Sequence, residues 1–230
     1  MGKGKKIAGT HWSPDADAVA AIWLARKYGD EKMKTMSIDI FLRRGDFPEE
    51  TALKMGVLLF DRGHGPFDHH GNAREAKTST LKVAKALKLV IKKEISELSK
   101  EDLLVTQCQE KSGKIAIVMN PELEIQEARA LRRLLKKIQR ADLQGESQPF
   151  DISDLIKCMQ RLFRNNKEII EIGIQIIEDC LQFSEKKLKR DNAGVQKLIK
   201  DFLKKKKVVP PKFERYFERL ANPNFERPFD

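Results

Sequence analysis

Over the first third of the chain, short apolar runs alternate with apolar positions at helical spacing. Lys6–Gly9 ends a short buried strand, and Asp17–Tyr28 is an alanine-rich helical pattern stopped by Gly29. Ser37–Arg43 alternates and predicts a second strand. Asp46–Met55 predicts a short helix with Pro48 in its first turn, and Val57–Phe60 a third strand. Strands and helices alternating at this spacing predict an α/β fold, with a mainly parallel sheet flanked by helices.

Further on, the pattern turns helical. Ser79–Leu98 carries Leu81, Val83, Ala84, Leu87, Val90, Ile91 and Ile95 at helical spacing, which predicts one helix. Lys114–Met119 predicts another strand, bounded by Ser112-Gly113 and Asn120-Pro121. Glu124–Ala141 predicts a basic amphipathic helix that ends just before Asp142, and Gln144–Phe150 is the best linker. Ile152–Lys189 predicts one or two long helices. The chain thus divides into an α/β domain over residues 1–145 and a helical basic region over residues 146–230. There is no internal repeat.

Composition narrows the class. The chain of 230 residues is 40% hydrophobic and 34% charged, which suits a soluble globular protein with a real core. No apolar run is long enough to span a bilayer, and the first residues lack a signal-peptide pattern, so the expected location is cytoplasmic with no membrane partner. Cys108, Cys158 and Cys180 are widely separated and read as buried apolar residues in a reducing compartment. The net charge of +11 favours polyanionic partners such as nucleic acids, nucleotides or acidic lipid surfaces; the plain alternative is a solubilising surface. Near the carboxyl end, Lys204–Lys207 sits among aromatic residues. Phe213, Phe217 and Leu220 at helical spacing favour helix packing with a solvated lysine face over a base-stacking surface.

The histidines change the picture most. Three of the four in the chain lie in Asp61–His70, DRGHGPFDHH, and the fourth opens His11–Asp17, HWSPDAD. One segment follows the first expected strand and the other follows the third. Loops beyond the carboxyl ends of parallel strands share one edge of the sheet, so the two segments are expected to meet there. Capping of the next helix explains one of Asp15 and Asp17, but not both together with His11. Mixed carboxylate and imidazole donors without thiolate suit Mn²⁺, Mg²⁺ or Zn²⁺ and lean toward manganese. Asp61, directly after an apolar strand, stands where one carboxylate can bridge two ions.

His11-x3-Asp15-x-Asp17, the strand-terminal Asp61 and Asp68-His69-His70 resemble the first three motifs of the DHH phosphoesterase superfamily. The short gap from Asp61 to Asp68 is similar to the melanocyte-proliferating-gene-type exonuclease branch, as is a helix ending in Asp142 before Gly145. The first motif follows the wider superfamily, and the substrate-binding GGGH signature is absent. The resemblance covers about residues 6–145. It implies two ions, Mn²⁺ or Mg²⁺, one held by His11, Asp15 and Asp61 and the other by Asp17, Asp61, His69 and Asp142. It further implies that His70 faces the substrate phosphate, that Asp68 orients the histidines, and that a water activated by both ions is the nucleophile. His64 has no assigned role.

The expectation is therefore a metal-dependent phosphoesterase acting on single-stranded nucleic acid or short oligonucleotides. Two rivals stand beside it: a small-molecule phosphohydrolase acting on pyrophosphate or a nucleotide, and a metal- or nucleotide-binding module without catalysis.

Overall fold

The computed structural model describes residues 6–42, 49–62, 66–69, 78–110, 113–146, 152–162 and 167–186. Strand β1 (Ile7–His11) lies between β2 (Ser37–Leu42) and β3 (Val57–Leu59), and both pairings are parallel. The connections are helical: α1 (Ala16–Tyr28) and α2 (Glu31–Lys34) join β1 to β2, and α3 (Glu49–Lys54) precedes β3. The register of β1 on β2 shifts between Ala8 and Gly9, a bulge two residues before His11.

Helix α1 is the centre of the molecule. Ala16 to Ala25 are all buried, so the helix is covered on every side instead of presenting one apolar stripe. Its alanines let neighbours approach closely. At Gly173, in α7 (Lys167–Lys186), an added Cβ would stand 2.8 Å from Val19 Cγ1 of α1. Helices α4 (Ser79–Ala86), α5 (Ile125–Leu143), α6 (Ile152–Leu162) and α7 complete this cover. One hydrophobic core runs from Ala8 through Trp23, Leu134 and Ile156 to Leu181. The described part of residues 146–230 therefore shares its core with α1 and α5. No helix among the described residues is long and apolar enough to cross a membrane.

The expected single helix over Ser79–Leu98 is corrected by the structure. Helix α4 stops at Ala86, Lys88 takes a left-handed φ of 57°, and the chain continues as β4 (Val90–Glu94) and a 3-10 turn over Ile95–Glu97. Val90 and Ile91 gain more as β-branched residues paired with Met119 and Val118 than in a further helical turn. Strands β4, β6 (Gly113–Met119) and β5 (Leu104–Glu110) form a second, antiparallel sheet in the order β4-β6-β5. Parallel pairing thus accounts for one of the two described sheets. The expected strand at Lys114–Met119 is β6; β5 was not expected.

Candidate metal centre

His11 is the last residue of β1, and Asp61 follows β3 on the neighbouring strand, so both emerge at the same sheet edge. Asp61 has a φ of 57°, a left-handed conformation that aspartate tolerates better than most residues. Its N–H faces Ser79 Oγ at 3.1 Å and Phe67 O at 3.2 Å. The stacked rings of Phe60 and Phe67, 5.6 Å apart, add about 0.5–1.5 kcal/mol to that return of the chain.

The Asp61 carboxylate is buried and looks two ways. Oδ2 lies 3.2 Å from His11 Nε2, and Oδ1 lies 2.9 Å from His69 Nδ1. Asp15 and Asp17 come from the start of α1. Asp15 is its N-cap and accepts the N–H groups of Asp17 and Ala18 at 2.9 and 3.1 Å. Asp17 points across to α4, whose first amides hold it: Ser79 N–H donates to Oδ2 at 2.6 Å and Thr80 N–H to Oδ1 at 2.8 Å. Asp17 Oδ2 is also 3.4 Å from His69 Nδ1.

Two donor groups result. His11, Asp15 and Asp61 present ligand atoms within 4.8 Å of one another, and so do Asp17, Asp61 and His69. Asp61 belongs to both. The donors are carboxylates and imidazoles without a thiolate, a set that fits hard or borderline divalent cations. Asp142, in the last turn of α5, meets His69 on its other nitrogen: Oδ2 is 3.1 Å from Nε2. It thus reaches the imidazole from the side opposite Asp17 and Asp61. Asp68 is buried, and its carbonyl accepts from Lys82 Nζ at 2.5 Å. His64 and His70 lie outside the described residues.

Comparison with family models, with curated proteins and with solved structures found no match to this chain. The site is therefore judged on its own chemistry.

Several like charges are crowded together here. Burial, then the charges of Asp61 and Asp17, push the Asp15 carboxyl up to about 7. Burial also raises Asp17, although hydrogen bonds from His69 and Thr80 oppose it. For Asp61 burial again acts upward, but hydrogen bonds from His11 and His69 outweigh it and hold the carboxyl below its usual range. Hydrogen bonding to Asp142, then to Asp17 and Asp61, pushes His69 up to about 12. Without a metal, the imidazolium of His69 supplies the positive charge that buried carboxylates require.

Ser79 and Thr80 had no expected role beyond starting a helix. Ser79 is fully buried; besides its amide bond to Asp17, its hydroxyl accepts from Asp61 N–H and donates to Phe67 O at 2.5 Å. Thr80 Oγ1 donates to Asp17 O at 2.9 Å. The run Thr78-Ser79-Thr80 after the DHH segment was the available signal, since hydroxyl residues at a helix start commonly bind backbone groups. Ser79→Ala is expected to cost about 1–2 kcal/mol through the two hydroxyl bonds it removes, since Asp61 N–H and Phe67 O keep their bond to each other. Divalent affinity is expected to fall about 10–100-fold, as for other outer-sphere partners. Thermal melting with and without Mn²⁺ measures both effects.

Proposed function

We propose that this chain is a metal-dependent phosphoesterase that hydrolyses phosphodiester bonds of single-stranded nucleic acid or short oligonucleotides, as its DHH-like motifs imply. One observation carries the reading: the two oxygens of Asp61 face two separate donor groups. A carboxylate shared between two cations needs this arrangement.

His11, Asp15 and Asp61 would hold one ion, and Asp17, Asp61 and His69 the other, with Mn²⁺ or Mg²⁺ as the expected metals. Two divalent ions so held would activate water and neutralise charge on the reacting phosphate. The rest of the work belongs to the chain's own residues. The amides of Ser79 and Thr80 fix both oxygens of Asp17, and the left-handed turn at Asp61 aims its carboxylate at both histidines. Asp142 Oδ2, at ion-pair distance from Nε2, is placed to orient His69 with Nδ1 toward Asp17 and Asp61. This differs from the ligand role that the resemblance implies for Asp142. By resemblance, His70 faces the phosphate, Asp68 orients the histidines, and the action is exonucleolytic.

Purified protein supplied with Mn²⁺ is expected to hydrolyse single-stranded RNA, single-stranded DNA or dinucleotides, and to stop on addition of EDTA. Turnover of pyrophosphate alone would shift the reading to a small-molecule phosphohydrolase. Divalent binding without any turnover would leave a binding module.

A further inference from the structure

Helix α5 divides its charges by face. It carries Arg129, Arg132, Arg133, Lys136, Lys137 and Arg140, which at about 100° per residue all fall within an arc of about 140°. Its acids, Glu127 and Asp142, lie outside that arc and are engaged elsewhere. Glu127 accepts the Tyr28 hydroxyl at 2.7 Å, and Asp142 meets His69. Leu131, Leu134, Leu135 and Ile138 fill the buried side. Like charges stand four residues apart at 129/133, 132/136, 133/137 and 136/140, a spacing that opposes helix formation. A face kept only for solubility would intersperse acids. Among the described residues no carboxylate pairs with Lys136 or Arg140. Burial, then the charges of Arg132 and Arg140, hold the Lys136 ammonium below its usual range.

The ridge is anchored and directed. Arg132 Nε donates to Leu104 O at 2.7 Å, and Gln139 Nε2 lies 3.3 Å from Thr106 Oγ1, so its inner margin is fixed against the edge strand β5. From Arg129 to Arg140 it runs about 16 Å along the helix axis. Along the axis it ends about 3 Å short of Asp142, which meets His69 from the other side of the same last turn.

The geometry points to the outward face of α5 as the track on which the backbone of a single-stranded nucleic acid lies while its end enters the metal centre. This deepens the phosphoesterase reading and rests on it. Repeated cations without acids match a chain of repeated phosphates, and the centre at the end of the ridge is the place where such a chain would be cut.

The test measures binding of a fluorescently labelled single-stranded 12-mer RNA by anisotropy, in EDTA, across a range of KCl. The variant is Arg133→Gln/Lys136→Gln/Arg140→Gln. Its salt slope is expected to be shallower than that of the natural chain by about 2, at about 0.7 for each phosphate no longer neutralised, and its affinity at 0.1 M salt about a hundredfold lower. Its melting temperature is expected not to fall, because like charges are removed. Arg133→Lys/Arg140→Lys should keep the slope. If the triple variant fails to fold, the single changes each carry about 0.7 of slope and decide the matter. A folded triple variant with unchanged slope and affinity overturns the track, as does a slope that disappears only when Lys204–Lys207 are neutralised. Because binding is read without metal, a missing Mn²⁺-dependent turnover overturns the phosphoesterase reading separately.

Discussion

On the phosphoesterase reading, Asp61→Asn is expected to lose at least about a thousandfold in kcat/KM, because several kcal/mol of charge stabilisation would depend on ions sharing this carboxylate and each 1.4 kcal/mol is tenfold. The substitution is nearly isosteric, and asparagine tolerates the left-handed φ of 57° found here. The N–H bonds to Ser79 Oγ and Phe67 O do not involve the side chain and should persist. The variant should therefore fold, with unchanged circular dichroism, while both divalent sites weaken together in a calorimetric titration. Loss of a single site would mean that Asp61 serves one ion. Full retention of both would remove the bridging role.

The second large effect is on pH. His69, pushed up to about 12, carries its proton throughout pH 6–8, and Asp15, at about 7, loses its proton across that window. Ligation requires both groups deprotonated, so loading the centre is expected to release about two protons at pH 6 and nearer one at pH 8. Affinity should then rise about tenfold or more per pH unit, or at least about a hundredfold from pH 6 to pH 8. Titration in buffers of different ionisation enthalpy counts the protons directly, and zero release would contradict the assignment of His69 as a ligand. The metal-free protein should trend the opposite way. Raising Asp15 from 3.8 to about 7 favours its neutral form, so stability falls as pH climbs through that interval. Raising His69 from 6.5 to about 12 adds stability that is complete below about 6.5 and is lost as pH approaches 12. Asp61, held low, is ionised throughout pH 6–8 and contributes no slope there. Metal-free protein should melt lower at pH 8 than at pH 6, and Mn²⁺ should raise the melting temperature more at pH 8.

The parallel half of the fold was legible because its signals are local. Each strand is a short apolar run closed by a polar residue, and the rule that ligands gather beyond the carboxyl ends brought His11 and Asp61 to one edge. The antiparallel half was less legible. Leu87, Val90, Ile91 and Ile95 fit a helical period, and only pairing with β6 across some thirty residues decides for β4. Strand β5 alternates weakly and hides among polar residues. Within the site, the residue types and motif spacing pointed to His11, Asp15, Asp17, Asp61 and His69, which the structure brings together, and to Asp142, which lies against His69. They could not tell which nitrogen of His69 meets Asp142, because that follows from where the last turn of α5 lands. Nor could they single out Ser79, whose importance lies in two backbone groups and one carboxylate brought to it by tertiary packing.

The shared role of Asp61 is tested most directly by anomalous diffraction at the manganese edge from crystals grown with Mn²⁺. Two peaks are expected on either side of the Asp61 carboxylate, one bonded to His11 and Asp15 and the other to Asp17 and His69. A single peak away from Asp61, or none at saturating Mn²⁺, would contradict the account.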